Sequence, residues 1–174
     1  MALMQILTEP NKILRQKSLA VEKVDDDLRI LMDSMLETMY AAPGIGLAAI
    51  QVGVPKRVIV LDIASKEAPR NPMCFVNPEI IKKSETNSTY EEGCLSVPGQ
   101  FAEIDRPDRC YIKYLDYYGQ PKEIKAEGML ATCIQHEIDH LEGILFIDYL
   151  SKLKKTMIIK KLSKQQKVIE RIVV

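Results

Sequence analysis

The sequence predicts an α+β fold in a single domain, on three observations. Its helical and strand-like segments do not alternate strictly, which favours α+β over α/β. Its 174 residues fall within the size range of one domain, and no linker or domain boundary stands out. Its composition, 47% hydrophobic and 28% charged, is that of an ordinary globular protein and not of a disordered, collagen-like or repeat protein.

Two segments have the periodicity of amphipathic helices. In residues 24–42, apolar side chains recur at spacings of three and four, and the aspartates at 25–27 suit a helix N-terminus. The sequence Pro-Gly at 43–44 ends this helix. The second helix is predicted over residues 129–141, where Gly143 is placed to cap its C-terminal end.

The strand-like segments are shorter. Residues 57–62 form an apolar run that predicts a buried strand. Residues 74–78 predict a short strand that Pro78 stops, and residues 79–91 predict strand and loop. Residues 110–117 alternate between apolar and polar side chains, which indicates another strand.

The C-terminal segment is strongly basic, although the net charge of the chain is zero. Residues 151–174 hold eight Lys and Arg side chains against a single acid. We predict a third helix here, with a set of apolar side chains among the lysines, namely Leu153, Met157, Leu162, Val168 and Ile172. Residues 1–150 would then form the main domain, and 151–174 a helix that packs on it or extends from it. The lysines are either a solvated helix face or a surface that binds RNA.

The cysteine pattern and the lack of a long apolar segment predict a cytoplasmic protein with no membrane partner. The first 16 residues lack the apolar core of a secretion signal, and no run approaches 18 apolar residues. The four cysteines form no Cys-x-x-Cys pair. Their thiols are therefore expected to be reduced and available for metal binding or catalysis.

The segment with the clearest chemistry is His136-Glu137-Ile138-Asp139-His140. Two histidines four residues apart lie on one face of a helix, so their imidazoles can bind one metal ion. The adjacent Glu137 can reach a water molecule on that ion and act as general base. These are the only two histidines in the chain, which strengthens the prediction of a metal site.

The third metal ligand is predicted to be a cysteine. A metallopeptidase with the longer pattern His-Glu-x-x-His-x-x-Gly-x-x-His would need histidine where Phe146 stands. Cys94 is the best candidate because it follows Glu92-Gly93 in a loop-like setting. Cys74 and Cys110 lie in strand-like runs and are expected in the core, and Cys133 precedes the motif by one helical turn.

Such a ligand set has an open fourth position, as in catalytic sites. One thiolate and two imidazoles accept zinc, ferrous iron, cobalt or nickel. The sequence pattern does not choose among these metals.

Three blocks of the chain together resemble the peptide deformylase family. They match the family motifs GxGLAAxQ, EGCLS and QHExDHLxG in the same order and at similar spacing. In this chain they are residues 44–51, residues 92–96 and residues 135–143. The resemblance covers essentially the whole sequence, including its length and its N-terminal helix.

The resemblance implies a fold with strands around a central His-Glu-x-x-His helix, and a role for each motif residue. It implies that Cys94, His136 and His140 bind the metal and that Glu137 is the acid–base. It further implies that Gln51 and the backbone N–H of Leu95 donate hydrogen bonds to the oxyanion. Ferrous iron would be the usual native metal, with zinc forms common. The substrates would be N-formylmethionyl nascent peptides, and the basic C-terminal helix would bind the ribosome through its RNA.

A substrate-binding surface is predicted near these motifs. Gly44 and Gly46 form either a turn after the first helix or a stretch of backbone along which the substrate adds as a strand. Four side chains either line an apolar pocket for the substrate methionine or belong to the core: Ile45, Leu95, Met129 and Cys133.

One position departs from the family pattern. Seven residues after Cys94, where many members carry an arginine thought to hold the substrate backbone, this chain has Phe101. A further position is open: Glu92 either orients a ligand histidine or forms a surface ion pair, for example with Arg106. Asp139 is expected either to face away from the metal or to make a structural hydrogen bond.

Two other functions would explain only part of this pattern. A metallopeptidase that cleaves internal amide bonds would share the histidine motif but would not explain the glycine and cysteine blocks. A metal-stabilised ribosome-binding factor without activity would need neither Glu137 nor Gln51, and both are present.

Overall fold

A computed structural model describes the backbone of residues 3–173 and the side chains of residues 3–165. Within this part of the chain there are seven strands and three α-helices. The strands are β1 (Gly46–Ala48), β2 (Val58–Leu61), β3 (Met73–Lys83), β4 (Asn87–Cys94), β5 (Val97–Pro107), β6 (Arg109–Leu115) and β7 (Pro121–Glu127). The helices are α1 (Asp26–Ala41), α2 (Gly128–Leu141) and α3 (Lys152–Val173). The predicted α+β class is confirmed.

The strands form two antiparallel sheets. The larger sheet has five strands in the order β1-β2-β3-β6-β7, and β4 and β5 form a separate two-stranded sheet. β1 is therefore an edge strand, and its outer side faces away from β2. The predicted helix around residues 24–42 is α1, and the predicted helix over 129–141 is α2.

The two faces of the larger sheet are covered by different helices. Because side chains of a strand alternate between faces, β2 contributes to both. Val58 and Val60 pack with the methionines and leucines of α1. Ile59 and Leu61 pack with the apolar side chains of α2. All four are completely buried, and each contributes roughly 1.5–3 kcal/mol of hydrophobic stabilisation.

The prediction that Pro78 stops a strand was wrong. β3 continues through Pro78 to Lys83, although proline has no N–H to donate to a neighbouring strand. The pairing of β3 with β6 shifts register between Val76 and Glu79, which accommodates the proline in a bulge. Asn77 has a positive φ of 51°, and its side-chain amide hydrogen-bonds to both backbone groups of Val21 at 2.8 Å.

The predicted third helix is α3, and part of it packs on the rest of the chain. Leu162 is buried, together with the half-buried Ile158 and Ile159, against residues around β5 and the 145–147 segment. Leu153 and Met157 are largely exposed, and Val168 and Ile172 lie outside the described side chains. Within residues 3–173, none of the helices combines the length and the apolar character needed to span a bilayer.

Candidate active site and metal centre

The histidine motif lies in the second half of α2, where the helix packs on the larger sheet. Helical geometry puts His136 and His140 one turn apart, with their ring centroids separated by 5.0 Å. His136, Glu137 and His140 are 8%, 4% and 0% exposed, respectively. Three ionisable side chains buried together in this way need partners, because unpaired buried polar groups are costly.

Cys94 is the last residue of β4, in the two-stranded sheet, and its side chain lies close to both histidines of α2. Its Sγ atom lies 3.4 Å from Nε2 of His140. The Sγ atom and one ring nitrogen of each histidine all lie within 4.8 Å of one another. A tetrahedral ion with metal–sulfur and metal–nitrogen bonds of ordinary length separates such donors by roughly 3.5 Å. The three side chains thus fit a divalent metal ion.

The ring of His140 has the protonation that metal binding requires, whereas hydrogen bonds with Cys94 and Glu92 outweigh burial and raise the pKa of His136 well above its usual range. Burial lowers the pKa of His140 well below its usual range, and positive charge on His136 lowers that pKa further. A neutral imidazole is the form that binds a metal. In His136, Nδ1 is engaged with Oε1 of Glu92 at 2.8 Å, which leaves Nε2 on the side of the cluster.

Glu92 contacts both of the partners that the sequence offered as alternatives, His136 and Arg106. It bonds to His136, and its two carboxylate oxygens accept hydrogen bonds from Arg106 at 2.7 and 2.9 Å. The ion pair with Arg106 is buried, with both side chains 5% exposed, so it differs from the surface ion pair that was one of the two alternatives. Burial alone would raise the pKa of Glu92, but the hydrogen bonds from His136 and Arg106 outweigh it and hold the pKa below its ordinary value.

The network continues away from the cluster. Arg106 also donates a hydrogen bond to Asp139 at 2.8 Å, and the hydroxyl of Tyr149 donates to the same carboxylate at 2.7 Å. Asp139 thus makes structural hydrogen bonds, which was one of the two alternatives predicted for it. Because each partner is itself held, the His136 ring has little freedom to rotate.

Glu137 is placed next to the candidate ligands. Its Oε1 lies 3.9 Å from Nε2 of His136, and its buried Oε2 has no hydrogen-bond partner among the described residues. Burial raises the pKa of Glu137 to about 7, although the positive charges of His136 and Arg106 act to lower it. A carboxylate with a pKa near neutrality can both accept and return a proton, which suits acid–base catalysis.

The side-chain amide of Gln51 has one possible orientation. Its Oε1 accepts a hydrogen bond from the Ala48 N–H at 2.9 Å, so its NH₂ group points the other way. That group donates to Ser96 Oγ at 3.0 Å and lies 3.6 Å from Cys94 Sγ. Gln51 is thus aimed at the metal cluster from the turn that follows β1.

A cavity of about 580 Å³ opens beside the cluster, within the size range of ligand sites. The structure brings to its walls every residue that the sequence proposed for substrate binding or the oxyanion: Gly44, Ile45, Gly46, Gln51, Leu95, Met129 and Cys133. Ile45 and Met129 are about half exposed at the mouth, whereas Cys133 is buried. Of the three ligand candidates, Cys94 and His136 line this cavity.

Gly46 lies against the carboxyl group of Glu137. A Cβ atom at this position would be 3.0 Å from the Glu137 carboxyl carbon and 3.1 Å from Cys133 Sγ. The position therefore suits glycine because of a close approach, which the sequence alone left undecided. A Cβ at Gly44 would similarly meet the Leu95 side chain.

Sequence reasoning gave no role to Ser96, which is completely buried. Its hydroxyl accepts the hydrogen bond from Gln51, and its carbonyl accepts one from the Glu9 N–H at 2.8 Å. The only available signal was its position at the end of the Glu92–Ser96 block. Thr132, one turn before His136, also lines the cavity and carried no such signal.

Comparisons with known proteins agree on one family. Residues 3–156 match the family model described as polypeptide deformylase. The peptide deformylase of Pelagibacter ubique is 68% identical over 94% of this chain and 95% of its own length. That of Phenylobacterium zucineum is 59% identical over 96% of this chain and 99% of its own.

A solved structure extends the agreement to three dimensions. The crystal structure of peptide deformylase from Ehrlichia chaffeensis superimposes with a TM-score of 0.92 at 45% identity, covering 96% of this chain and 98% of that one. A metal-dependent hydrolase also accounts for the cysteine–histidine cluster beside a buried glutamate. The chain thus belongs to the peptide deformylase family, whose activity is removal of the N-formyl group from the methionine of nascent polypeptides.

Proposed function

We propose that the ion used in this reaction is ferrous iron, held by Cys94 Sγ and by Nε2 of His136 and His140. The observation that carries the proposal is the close grouping of one thiol and two imidazoles beside Glu137. Nδ1 of His136 is already bonded to Glu92, so Nε2 is its free donor. Zinc, nickel and cobalt also suit these donors, and the family resemblance is what favours iron.

A divalent ion at this site supplies Lewis acidity, which makes a formyl carbonyl more electrophilic and water more acidic. In our proposal Glu137 accepts the proton of the attacking water and then delivers it to the amine that leaves. Its buried, unpaired Oε2 is available for this proton. The Gln51 amide and the Leu95 N–H donate hydrogen bonds to the formyl oxygen as it gains negative charge.

The peptide part of the substrate is proposed to bind between β1 and β4. Gly44, Ile45 and Gly46 line one wall of the cavity, and β4 lines the other. Because β1 is an edge strand, an extended peptide can add to it through backbone hydrogen bonds. The methionine side chain would enter the pocket of Ile45, Leu95, Met129 and Cys133.

Formate release and metal content, measured on the same preparation, test these assignments. Protein purified without oxygen should contain about one iron per chain, the single-ion stoichiometry of three protein ligands and one open position. It should release formate from a formyl-Met tripeptide amide and leave the acetylated analogue and internal amide bonds intact. Cleavage of internal bonds would instead indicate a metallopeptidase. Full activity with zinc as the only metal would contradict the proposal of iron.

We also propose a cytoplasmic protein whose helix α3 binds the ribosome. Ile158, Ile159 and Leu162 face the domain, which leaves lysines on the outer side of the helix. Lys160, Lys161 and Lys164 are exposed, whereas Lys155 pairs with Asp148 at 2.7 Å. A row of exposed lysines is suited to the phosphates of ribosomal RNA.

Reversing the charge at Lys160, Lys161 and Lys164 to glutamate should weaken co-sedimentation with ribosomes. Removing one lysine–phosphate interaction lowers the slope of log affinity against log salt by about 1. We therefore expect a slope smaller by about 3, with formate release unchanged. The matched control reverses Lys82, Lys83 and Lys122, which are exposed on β3 and β7. Equal weakening in both variants would point to net charge and would contradict a specific role for α3.

A further inference from the structure

The two groups proposed to bind the oxyanion come from different parts of the fold. Gln51 lies in the short turn that follows β1 of the larger sheet. Leu95 is the first residue of the two-residue turn that joins β4 to β5 in the smaller sheet. Because the two sheets are separate, strand pairing alone does not fix the position of one turn relative to the other.

The N-terminal segment forms hydrogen bonds to both turns. The Leu7 N–H donates to the backbone carbonyl of Gln51 at 2.7 Å, and the Glu9 N–H donates to the backbone carbonyl of Ser96 at 2.8 Å. Ser96 is the second residue of the β4–β5 turn, and its hydroxyl accepts a hydrogen bond from the Gln51 side chain at 3.0 Å. The two turns are thus joined directly and also through residues 7–9, which we call the N-terminal clamp.

The N-terminal clamp is itself attached to the domain on both sides. Before it, the Met4 N–H donates to the hydroxyl of Thr38 in α1 at 2.9 Å. At its end, the Glu9 carboxylate pairs with Arg15 at 3.3 Å, and Arg15 pairs with Asp148 at 2.6 Å. These contacts limit the movement of the clamp, so it can hold the two turns in one arrangement.

We propose that the N-terminal clamp and the Ser96 hydroxyl position the two oxyanion donors, the Gln51 amide and the Leu95 N–H, relative to each other. This inference rests on the proposed function, in which both groups donate to the formyl oxygen. Such donors act at about 2.7–3.1 Å from the developing charge. A misplacement of about 1 Å can cost about 100-fold in rate, so small shifts between the turns matter.

The first test removes one hydrogen bond of the clamp. Leu7→Pro lacks the N–H that bonds to Gln51, and kcat for a formyl-Met tripeptide amide should fall by about 10-fold. KM should change by less than about 2-fold. The iron content should stay at one equivalent, because the hydrogen bonds of the clamp go to Gln51 and Ser96 and not to a candidate ligand.

Two further variants control for the introduction of proline and for the loss of the leucine side chain. Thr8→Pro makes the same change one residue further on, where the N–H forms no hydrogen bond within residues 3–165. This control should keep the wild-type kcat. Leu7→Ala removes the side chain but keeps the N–H, so the additional loss in Leu7→Pro measures the effect of the hydrogen bond.

The same substitutions in a Gln51→Ala background separate positioning from general support of the fold. Gln51→Ala alone should lower kcat by about 100-fold or more, as the loss of an oxyanion donor does. Because the clamp acts through Gln51, Leu7→Pro should then cost less than about 2-fold. Ser96→Ala should likewise cost about 10-fold in the wild-type background and less than about 2-fold in the Gln51→Ala background.

The outcomes distinguish the inference from the function on which it rests. Unchanged kcat in Leu7→Pro and Ser96→Ala, or equal losses in both backgrounds, would overturn the positioning role and leave the proposed function intact. If Leu7→Pro does not fold, the comparison of Ser96→Ala in the two backgrounds decides the question. Near-normal kcat in Gln51→Ala would overturn the proposed role of Gln51 and this inference with it. Absence of formate from the wild-type protein with one equivalent of iron bound would overturn the proposed function itself.

Discussion

Replacing Glu137 with glutamine should lower kcat by about 1,000-fold, within the range that a general acid–base contributes. Glutamine has nearly the same shape, so the contact with Gly46 is kept. It cannot accept a proton, and both the attack of water and the departure of the amine depend on that proton. The bound metal should remain at one equivalent, because Glu137 is not among the grouped donor atoms.

The measurement is single-turnover formate release together with metal analysis. Glu142→Gln is the control, since it makes the same chemical change just after α2, where Glu142 pairs with Arg57 at 2.7 Å. That variant should keep nearly full activity. If Glu137→Gln, or the more drastic Glu137→Ala, kept near-normal turnover with metal bound, the proton would have to be carried by another group.

The helices of this fold could be predicted from the sequence because their signals are local. Apolar residues spaced by three and four predicted the ends of α1 and α2 to within about two residues of their observed positions. The course of β3 beyond Pro78 could not be predicted, because a bulge depends on the partner strand. The unusual φ of Asn77 is stabilised by Val21, which lies far away in the sequence.

The difference between local signals and contacts distant in sequence also explains how much of the site could be predicted. His136, Glu137 and His140 are neighbours on one helix, so their grouping follows from helical spacing. Cys94 is brought in by a different sheet, and the sequence reached it only by elimination and by family resemblance. The two contacts of Glu92 looked like alternatives, because spacing does not reveal that Arg106 and His136 flank the same buried carboxylate.

The wall of the cavity that includes Glu91 and Phe101 was the least accessible to prediction. The sequence identified Phe101 only as a departure from a family pattern. Its location on the face shared with Glu91 follows from the register of the β4–β5 hairpin. The absence of lysine and arginine from the described cavity lining is a property of the folded surface, since the chain as a whole has as many basic as acidic residues.

Replacing Cys94 with serine should remove the metal as well as the activity. A thiolate brings a negative charge and a soft donor to the ion, whereas a serine hydroxyl stays protonated and binds such metals weakly. Loss of a supporting residue around a metal commonly costs 10–100-fold in affinity, so loss of a ligand should cost about 100-fold or more. After dialysis we expect little bound metal and no measurable formate release.

Thermal unfolding gives an independent readout, because an ion that binds only the folded chain stabilises it. At a free concentration 100 times its Kd the ion adds about 2.7 kcal/mol, or roughly 5–10 °C in Tm for a domain of this size. A chelator should therefore lower the Tm of the wild-type protein and of the control Cys74→Ser, whose thiol lies in β3, but not that of Cys94→Ser. A Cys94→Ser variant that retained one equivalent of metal and the same chelator response would show that the ion is held without the thiolate, and the ligand set would then have to be sought among the carboxylates around His136.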